Sequence, residues 1–179
     1  MDKKLVVKVA AGLGNQMFMY ANALSLSKRF NYKLLIDNTS GFFQTKNRTL
    51  GREYGLNIFN LSGNLAEKKN KYDNYLSHNY KKIAKFLNKY QKKKSFLTDP
   101  RGIEKKTFYE KIDSFLANKV YLEGYFESEK YFFDLKSKLI EEFKIKSNFI
   151  DKNNKYINSL TESNSVSIHI RRNRFVEPQ

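Results

Sequence analysis

Near the end of the chain, a group of cationic side chains can bind an anionic ligand. An alternating apolar run at residues 166–170 predicts a strand, and the alternation places His169 and Arg171 on one face of it. Arg172 follows at the end of the strand. Guanidinium groups combine a fixed charge with paired N–H donors, which suits a diphosphate. We interpret these residues as an anion site, and an exposed basic terminus is the alternative interpretation.

A glycine-containing turn follows the first apolar segment of the chain, residues 5–10, which predicts a buried strand. Gly12 and Gly14 would let the backbone approach a ligand at the start of the next helix. Asn15 and Gln16 add two amides that can hydrogen-bond to sugar hydroxyls. Two glycines separated by one residue also fit a tight structural turn, so both interpretations stay open.

An aromatic segment begins at Gly124, after a predicted strand at 120–122. It contains Tyr125 and Glu127, and Ser128 can cap the helix that follows. Ligands of open α/β sheets bind along the carboxyl ends of the strands, so this segment and the glycine turn would share one rim. The alternative is an aromatic turn that closes the core.

The elements that would position these segments alternate between strands and helices. A strand at 5–10, a helix after the glycine turn and a strand at 34–37 form a βαβ unit, which indicates an α/β fold with a parallel sheet. Residues 38–66 are predicted to be loop with short elements. A helix beginning at Ser128 would bury a stripe formed by Tyr131, Leu135, Leu139 and Phe143, widened by Phe132 and Ile140.

Composition excludes several classes of site. The 179 residues include no cysteine, which excludes disulfides and thiolate–metal centres, and only two histidines, which argues against a multi-histidine zinc site. No apolar run is long enough to predict a transmembrane helix. We expect a cytoplasmic protein, with peripheral contact to the cytoplasmic membrane as an open alternative.

The formal net charge of +16 is concentrated in residues 68–94, which contain ten lysines and one aspartate. Tyr80, Ile83, Ala84 and Leu87 recur there at helical spacing. We predict a lysine-rich helix that docks through this apolar stripe and leaves its lysines in solvent. Contact with an anionic membrane surface or an acidic glycan is the alternative. Nucleic acid is least favoured, because the segment contains no arginine.

Three segments carry a resemblance to one enzyme family. Residues 11–21, AGLGNQMFMYA, closely resemble the N-terminal signature of family 11 glycosyltransferases, the α-1,2-fucosyltransferases, usually written GGLGNQMFQYA. Residues 124–132 resemble their G-Y-[FW]-x-S-E-K-Y-F segment, and residues 166–175 resemble their H-x-R-R-G-D-Y motif. The last motif departs from the family pattern, because Asn173-Arg174-Phe175 stands where Gly-Asp-Tyr is usual.

The resemblance implies a GT-B-type architecture, in which two Rossmann-like domains face a cleft. Residues 1–146 would form the Rossmann-like N-terminal domain, with a lysine-rich helical insertion at about 67–94. Residues 147–164 would form a linker with one helical piece, and residues 165–179 the truncated start of the donor-binding domain, with only its first strand. We expect this chain by itself to have no transferase activity.

The resemblance also implies an activity, namely inverting transfer of L-fucose from GDP-fucose to a galactose 2-hydroxyl in glycan or lipopolysaccharide synthesis. It implies no metal and no cofactor beyond the donor substrate, and the partners would be the nucleotide-sugar donor and a galactoside acceptor glycan. Arg171 would bind the donor diphosphate, supported by Arg172, while His169 shapes the same pocket. No residue is assigned as the catalytic base. The residues implied to line the cleft are Gly12, Gly14, Asn15, Gln16, Tyr125 and Glu127.

Two other functions remain open at this point. One is a basic binding module for anionic glycolipid, a membrane surface or nucleic acid, built on residues 68–94. The other is a nucleotide-binding fold that acts on a different substrate.

Overall fold

The computed structural model describes residues 3–43, 52–99, 116–149, 154–166 and 168. The chain divides into two compact units, Met1–Lys144 and Ile145–Gln179. In chain order, the strands and α-helices of the described residues are β1 (Lys4–Lys8), α1 (Leu13–Arg29), β2 (Lys33–Asp37), β3 (Asn64–Leu65), α2 (Tyr75–Leu87), β4 (Lys94–Thr98), β5 (Leu116–Glu123), α3 (Lys136–Glu142) and α4 (Asn154–Thr161).

The five strands form one parallel sheet in the order β3-β2-β1-β5-β4. In the central strand β1, Lys4 pairs with Lys33 of β2 on one side and with Lys119 of β5 on the other. The predicted α/β class and the βαβ unit are confirmed, and the strand order is consistent with a Rossmann-like fold. Because all four strand pairs are parallel, the carboxyl ends of the five strands lie at the same edge of the sheet.

Alternating residues of the central strands divide the core between the two faces of the sheet. Leu5 and Val7 belong to the larger cluster, which packs against α1 and residues 129–143. Val6 and Tyr121 belong to a smaller cluster on the opposite face, where Ala84 of α2 is the helical contributor. The face under α2 therefore offers that helix little apolar surface.

Helix α1 confirms the helix predicted after the glycine turn. It begins after Gly12, whose extended backbone (φ −75°, ψ 166°) forms the N-cap. Tyr20, Ala21 and Leu24 are buried. Lys28 and Arg29 occupy the last turn, where cations interact favourably with the helix dipole.

Strands β3 and β4 are not predicted by the sequence pattern. Strand β3 has only two residues, and β4 is an edge strand that directly follows a run of lysines. Of the residues in β4, only Phe96 is buried, so the strand lacks the periodic apolar signal on which such predictions depend.

The single helix predicted to begin at Ser128 is wrong. Two short 3-10 turns, Glu129–Tyr131 and Phe133–Leu135, precede the seven-residue α3. Phe132 separates the turns with a non-helical backbone (φ −150°, ψ 23°). Ser128 still caps the first turn, because its hydroxyl accepts a hydrogen bond from the Lys130 N–H. The predicted apolar stripe is also narrower than expected, since Ile140 is exposed.

The helical piece predicted for residues 147–164 is present as α4. Of the strand predicted at 166–170, the described residues are Val166 and Ile168, which are exposed and lie outside regular secondary structure. His169, Arg171 and Arg172 lie outside the described residues.

Helix α2 confirms a lysine-rich helix but overturns its predicted orientation. Tyr80 and Ile83 of the apolar stripe are 65% and 61% exposed, whereas Lys81 is only 6% exposed. The helix therefore docks with basic side chains inward. The reason is electrostatic, because Lys81 and Lys85 both reach the buried carboxylate of Glu123 at the end of β5.

Candidate functional site

The carboxyl ends of three neighbouring strands form one wall of a cavity of about 440 Å³, and α2 closes it from the side. Strand β1 contributes Lys8, β4 contributes Thr98, and β5 contributes Glu123. This is the edge at which open parallel sheets bind ligands. The residues lining the cavity are Lys8, Ala10, Met19, His78, Lys81, Lys82, Lys85, Thr98, Asp99, Glu123, Gly124 and Tyr125.

Glu123 is the centre of a charge cluster in this cavity. Its carboxylate lies 2.9 Å from the Lys8 ammonium, 2.7 Å from that of Lys81 and 2.6 Å from that of Lys85. Burial alone would raise the pKa of Glu123, but the lysines overcome this effect and hold its pKa far below the usual range. Glu123 is therefore ionised throughout the neutral range.

The cluster retains excess positive charge, because three ammonium groups surround one carboxylate. Burial lowers the pKa of Lys81, while its contact with Glu123 opposes that shift. Burial and the nearby charges of Lys81 and Lys82 also lower the pKa of His78 from its ordinary value, which favours the neutral imidazole. The cavity thus combines fixed cations with neutral and anionic hydrogen-bonding groups, a set suited to a polar ligand.

Asp37, at the end of β2, is engaged within the protein. Its carboxylate accepts hydrogen bonds from the hydroxyls of Ser40 and Tyr121, both at 2.6 Å, and from the Ser40 N–H at 3.0 Å. Burial and the proximity of Asp37 raise the pKa of Tyr121. These contacts fix the turn after β2 to β5, which lies on the other side of β1 in the sheet, and they make Asp37 a structural residue.

The glycine turn follows β1 at the same edge of the sheet. A Cβ atom built on Gly12 or Gly14 would meet nothing within 4 Å. Ala11, between the strand and the turn, has a left-handed backbone with φ of 64°. The packing of the protein therefore gives no steric reason for glycine at positions 12 and 14.

Gln16 is buried at the start of α1, and its amide is engaged by backbone groups. Its Nε2 donates to the carbonyls of Ala11 and Glu53, at 3.0 and 2.9 Å, and its Oε1 accepts from the Gly55 N–H at 3.0 Å. This amide anchors the 53–55 segment to the glycine turn. Gln16 thus shapes the turn instead of presenting its amide to a sugar.

The segment after β5 is held by a second set of contacts. Gly124 has φ of +154°, and a Cβ there would lie only 3.0 Å from the Asp99 nitrogen, so glycine is required. Asp99 donates its N–H to the Glu123 carbonyl and accepts a hydrogen bond from the Phe126 N–H through Oδ2, at 3.1 Å. These bonds direct Tyr125 to the cavity.

Of the residues predicted to line a cleft, Tyr125 lines this cavity, while Gly12, Gly14, Asn15, Gln16 and Glu127 do not. Asn15 is half-buried and Glu127 is exposed. The sequence prediction missed Lys8, Glu123 and the α2 lysines as site residues. A signal for two of them existed, because Lys8 and Glu123 each directly follow a run of three apolar residues at the end of a strand.

A second cavity, of about 370 Å³, is apolar and lies between α1 and residues 129–143. Phe18 and Phe132 line it, with ring centroids 5.8 Å apart. These two residues belong to two of the segments that carry the family resemblance. The structure therefore brings those segments into contact.

In the part of the chain that the structure describes, no group of three or more histidine, aspartate or glutamate side chains could hold a metal ion. Among the helices of those same residues, none has the length and apolar character needed to cross a membrane.

Comparison with known proteins supports the resemblance inferred from the motifs. Over 173 residues, 96% of this chain, the sequence is 31% identical to an alpha-1,2-colitosyltransferase of Escherichia coli. Over 53 residues it is 40% identical to the O-antigen biosynthesis glycosyltransferase WbnK of Escherichia coli, a match that covers 30% of this chain. The predicted resemblance to α-1,2-linking glycosyltransferases is confirmed as a distant relationship.

The relationship covers only part of each relative. The chain spans 55% of the length of the colitosyltransferase and 18% of that of WbnK. No protein-family model matches the chain, and no solved structure matches it.

Proposed function

We propose that this chain is the N-terminal part of an inverting glycosyltransferase that joins a 6-deoxyhexose to the 2-hydroxyl of a galactoside. The main support for this proposal is the relationship to an alpha-1,2-colitosyltransferase, which extends over 96% of this chain. The donor is GDP-fucose, as the family resemblance implies. GDP-colitose is the second candidate, because the relative is a colitosyltransferase and colitose is fucose without its 3-hydroxyl. The transfer is a step in the synthesis of a glycan or a lipopolysaccharide.

The proposed architecture is of the GT-B type. Residues 1–146 form its Rossmann-like N-terminal domain, residues 147–164 the linker, and residues 165–179 the start of the donor-binding half. The parallel sheet within residues 4–123 and the helix α4 within the linker support this division.

The donor is held by the basic motif near the end of the chain. Arg171 binds the diphosphate, Arg172 supports it, and His169 shapes the same pocket. In an inverting displacement, the acceptor hydroxyl attacks the anomeric carbon as the bond to the diphosphate breaks, and negative charge develops on the departing GDP. Fixed guanidinium groups stabilise that charge more in the transition state than in the ground state, which accelerates transfer.

The acceptor occupies the rim of the sheet, in front of the glycine turn and the cavity lined by Tyr125. Two observations support this placement. The cavity lies at the carboxyl ends of β1, β4 and β5. Gly12 and Gly14 meet no neighbouring atom that excludes a side chain, which favours close approach of a ligand over internal packing as the reason for glycine.

The test is sugar transfer by the protein produced at its native length. GDP-fucose, GDP-colitose and UDP-galactose are each supplied with lactose, and the product linkage is determined by NMR. The expected result is an α-1,2-linked product from a GDP-linked 6-deoxyhexose only. Use of UDP-galactose alone, or no transfer from any donor, would overturn the proposal.

Paired variants test the diphosphate contact. Arg171→Ala should lower kcat/KM by about 100-fold or more, as expected for the loss of a charge-stabilising donor. Arg174→Ala is the matched control, because Arg174 stands where the family pattern has an acid, and it should retain most of the activity. Equal activity of Arg171→Ala and the unsubstituted protein would contradict the assignment.

A further inference from the structure

Contacts along the inner face of helix α2 hold it with lysines toward the sheet and its apolar stripe toward solvent. Lys81 and Lys85 bind Glu123 of β5, at 2.7 and 2.6 Å. At the end of the helix, Asn88 donates to the Phe96 carbonyl at 3.0 Å and accepts from the Ser95 N–H at 2.8 Å. These contacts to two strands determine how the helix is rotated about its axis.

The outer face of α2 is consequently apolar and open to solvent. Leu76, Tyr80, Ile83 and Leu87 succeed one another at spacings of four and three residues, which places them in one row. Every large apolar side chain of this face is more than half exposed. The outer face of α2 consists of Tyr75, Leu76, Tyr80, Ile83, Phe86, Leu87 and the adjoining Tyr90.

Exposed lysines border this face. Lys82 lies on the helix, and Lys89, Lys92 and Lys93 follow its end, all four exposed. Within the described residues, none of these four lysines takes part in a salt bridge. The one acid of residues 68–94, Asp73, accepts a hydrogen bond from the Thr39 hydroxyl at 2.7 Å. The face therefore combines apolar surface with uncompensated positive charge.

We propose that the outer face of α2 docks on an anionic lipid bilayer. Helices of this composition lie in the membrane interface, with leucine and phenylalanine in the acyl boundary and lysine at the headgroups. Tyrosine suits the same depth, because its ring is apolar and its hydroxyl remains hydrated. Lysines beside the inserted side chains attract anionic lipids.

Charge and shape favour a bilayer over other partners. A second copy of the chain would bring an equally basic segment against this one, and like charges repel. Single-stranded nucleic acid binds in a basic groove that follows its backbone, with aromatic rings on which the bases stack. Here the central row of the face consists of Leu76, Tyr80, Ile83 and Leu87, so three aliphatic side chains and one ring stand where a groove would have cations.

The inner side of the same helix lines the cavity at the rim of the sheet. His78, Lys81 and Lys85 reach that cavity, while the outer face points to solvent. Docking would therefore leave the cavity cluster in place, because its contacts lie on the side of α2 that faces the sheet.

The first experiment measures sedimentation of the 179-residue chain with vesicles. One vesicle type contains phosphatidylcholine alone, and the other contains phosphatidylcholine mixed with phosphatidylglycerol. The chain should bind the mixed vesicles at least about tenfold more strongly, and added salt should weaken that binding. No binding to either type, or equal binding to both, would overturn the proposal.

Variants separate insertion of the face from general attraction of a basic protein. The triple substitution Leu76→Ser, Ile83→Ser and Leu87→Ser should lower vesicle binding by about tenfold or more, because it removes the inserting side chains. It should leave the circular dichroism spectrum unchanged, since these side chains are exposed. Phe133→Ser with Ile140→Ser is the matched control, because it removes exposed apolar side chains near α3. Equal loss of binding in both variants would contradict the proposal.

The remaining occupants are distinguished by further measurements. Light scattering without lipid should show a monomer, and a dimer that the triple substitution disrupts would overturn the proposal. An oligonucleotide that displaces the chain from vesicles and whose binding requires Leu76, Ile83 and Leu87 would also overturn it.

The native-length protein should bind vesicles as the 179-residue chain does. A loss of binding in the native-length protein would mean that the protein itself covers the outer face of α2. Transfer to soluble lactose is measured without vesicles, so failure of this proposal is distinct from failure of the proposed function.

Discussion

The Lys81 ammonium lies 2.7 Å from the Glu123 carboxylate, and both side chains are almost entirely buried. This contact joins α2 to the end of β5. Since Lys8 and Lys85 bind the same carboxylate, one acid organises the cavity wall and orients the helix. The apolar face of α2 points outward as a consequence.

Replacing Glu123 should be costly, because it would leave buried positive charge without a partner. We expect Glu123→Gln to lower the free energy of unfolding by about 3 kcal/mol or more, the usual cost of breaking a buried ion pair. The measurement is urea denaturation at pH 7. Glu141→Gln is the control, because its ion pair with Lys144 is exposed and should contribute less than about 1 kcal/mol. Similar effects of the two substitutions would contradict the structural role of Glu123.

The same cluster predicts a pH dependence. The lysines hold the pKa of Glu123 below its ordinary value of 4.5 in the folded protein. A lowered folded pKa stabilises the protein fully above the unfolded pKa, and the stabilisation is lost as the pH falls toward the folded pKa. The difference in unfolding free energy between the unsubstituted protein and Glu123→Gln should therefore shrink below about pH 4.5. Urea denaturation at a series of pH values checks this, and a constant difference down to pH 3 would refute it.

A second buried contact links α1 to α3. The Tyr20 hydroxyl donates to the carboxylate of Glu142, which also binds the Ser62 hydroxyl at 2.6 Å. Tyr20→Phe should lower the free energy of unfolding by about 1.5–3 kcal/mol, as expected for a hydrogen bond to a charged group. Tyr32→Phe is the control, because Tyr32 donates to the neutral Ala117 carbonyl and should contribute about 1 kcal/mol. Thermal or urea unfolding of both variants tests whether Tyr20→Phe destabilises the protein more than Tyr32→Phe does.

The Gln16 amide should hold the 53–55 segment on the glycine turn. Gln16→Ala removes three hydrogen bonds to backbone groups, which predicts a loss of about 2–3 kcal/mol in unfolding free energy. The specific measurement is hydrogen exchange at the Gly55 amide, which should lose its protection. Asn15→Ala is the control, because Asn15 makes none of these bonds. Unchanged exchange at Gly55 in Gln16→Ala would show that another contact holds the segment.

Ala11 should be strained, because its φ of 64° lies in the left-handed region. The family signature has glycine at this position, and glycine adopts this conformation readily. Ala11→Gly should raise the free energy of unfolding by up to about 1 kcal/mol, because relief of the strain exceeds the entropy cost of glycine. Ala10→Gly, next to it, should instead destabilise the protein by about 0.5–1 kcal/mol. Destabilisation by both substitutions would contradict the strain at Ala11.

Much of the sheet was predictable from short-range patterns. The apolar runs around Leu5, Leu35 and Leu122 predict β1, β2 and β5, which are the central strands. Strands β3 and β4 lie at the edges, where partial exposure removes the periodic signal. The helix predicted after Ser128 failed because its apolar spacing does not reveal the break at Phe132.

The candidate site was only partly predictable. Tyr125 was expected at the rim and lines its cavity, whereas Gln16 was expected to meet a ligand and instead binds the backbone around it. Glu123 was missed, because its partners Lys81 and Lys85 are distant in sequence and belong to another element. Contacts of that kind depend on how elements pack.

The sequence by itself determined the α/β class, the βαβ unit and the relationship to glycosyltransferases, because apolar alternation and motifs are local properties. It also identified the apolar stripe and the lysines of α2. Only the tertiary structure decided which side of that helix faces the sheet. Ion pairs with a buried carboxylate on a distant strand decide the orientation. The free energy cost of leaving that carboxylate unpaired outweighs the free energy gained by burying Tyr80, Ile83 and Leu87. Helical periodicity is the same in either orientation, so it could not distinguish them.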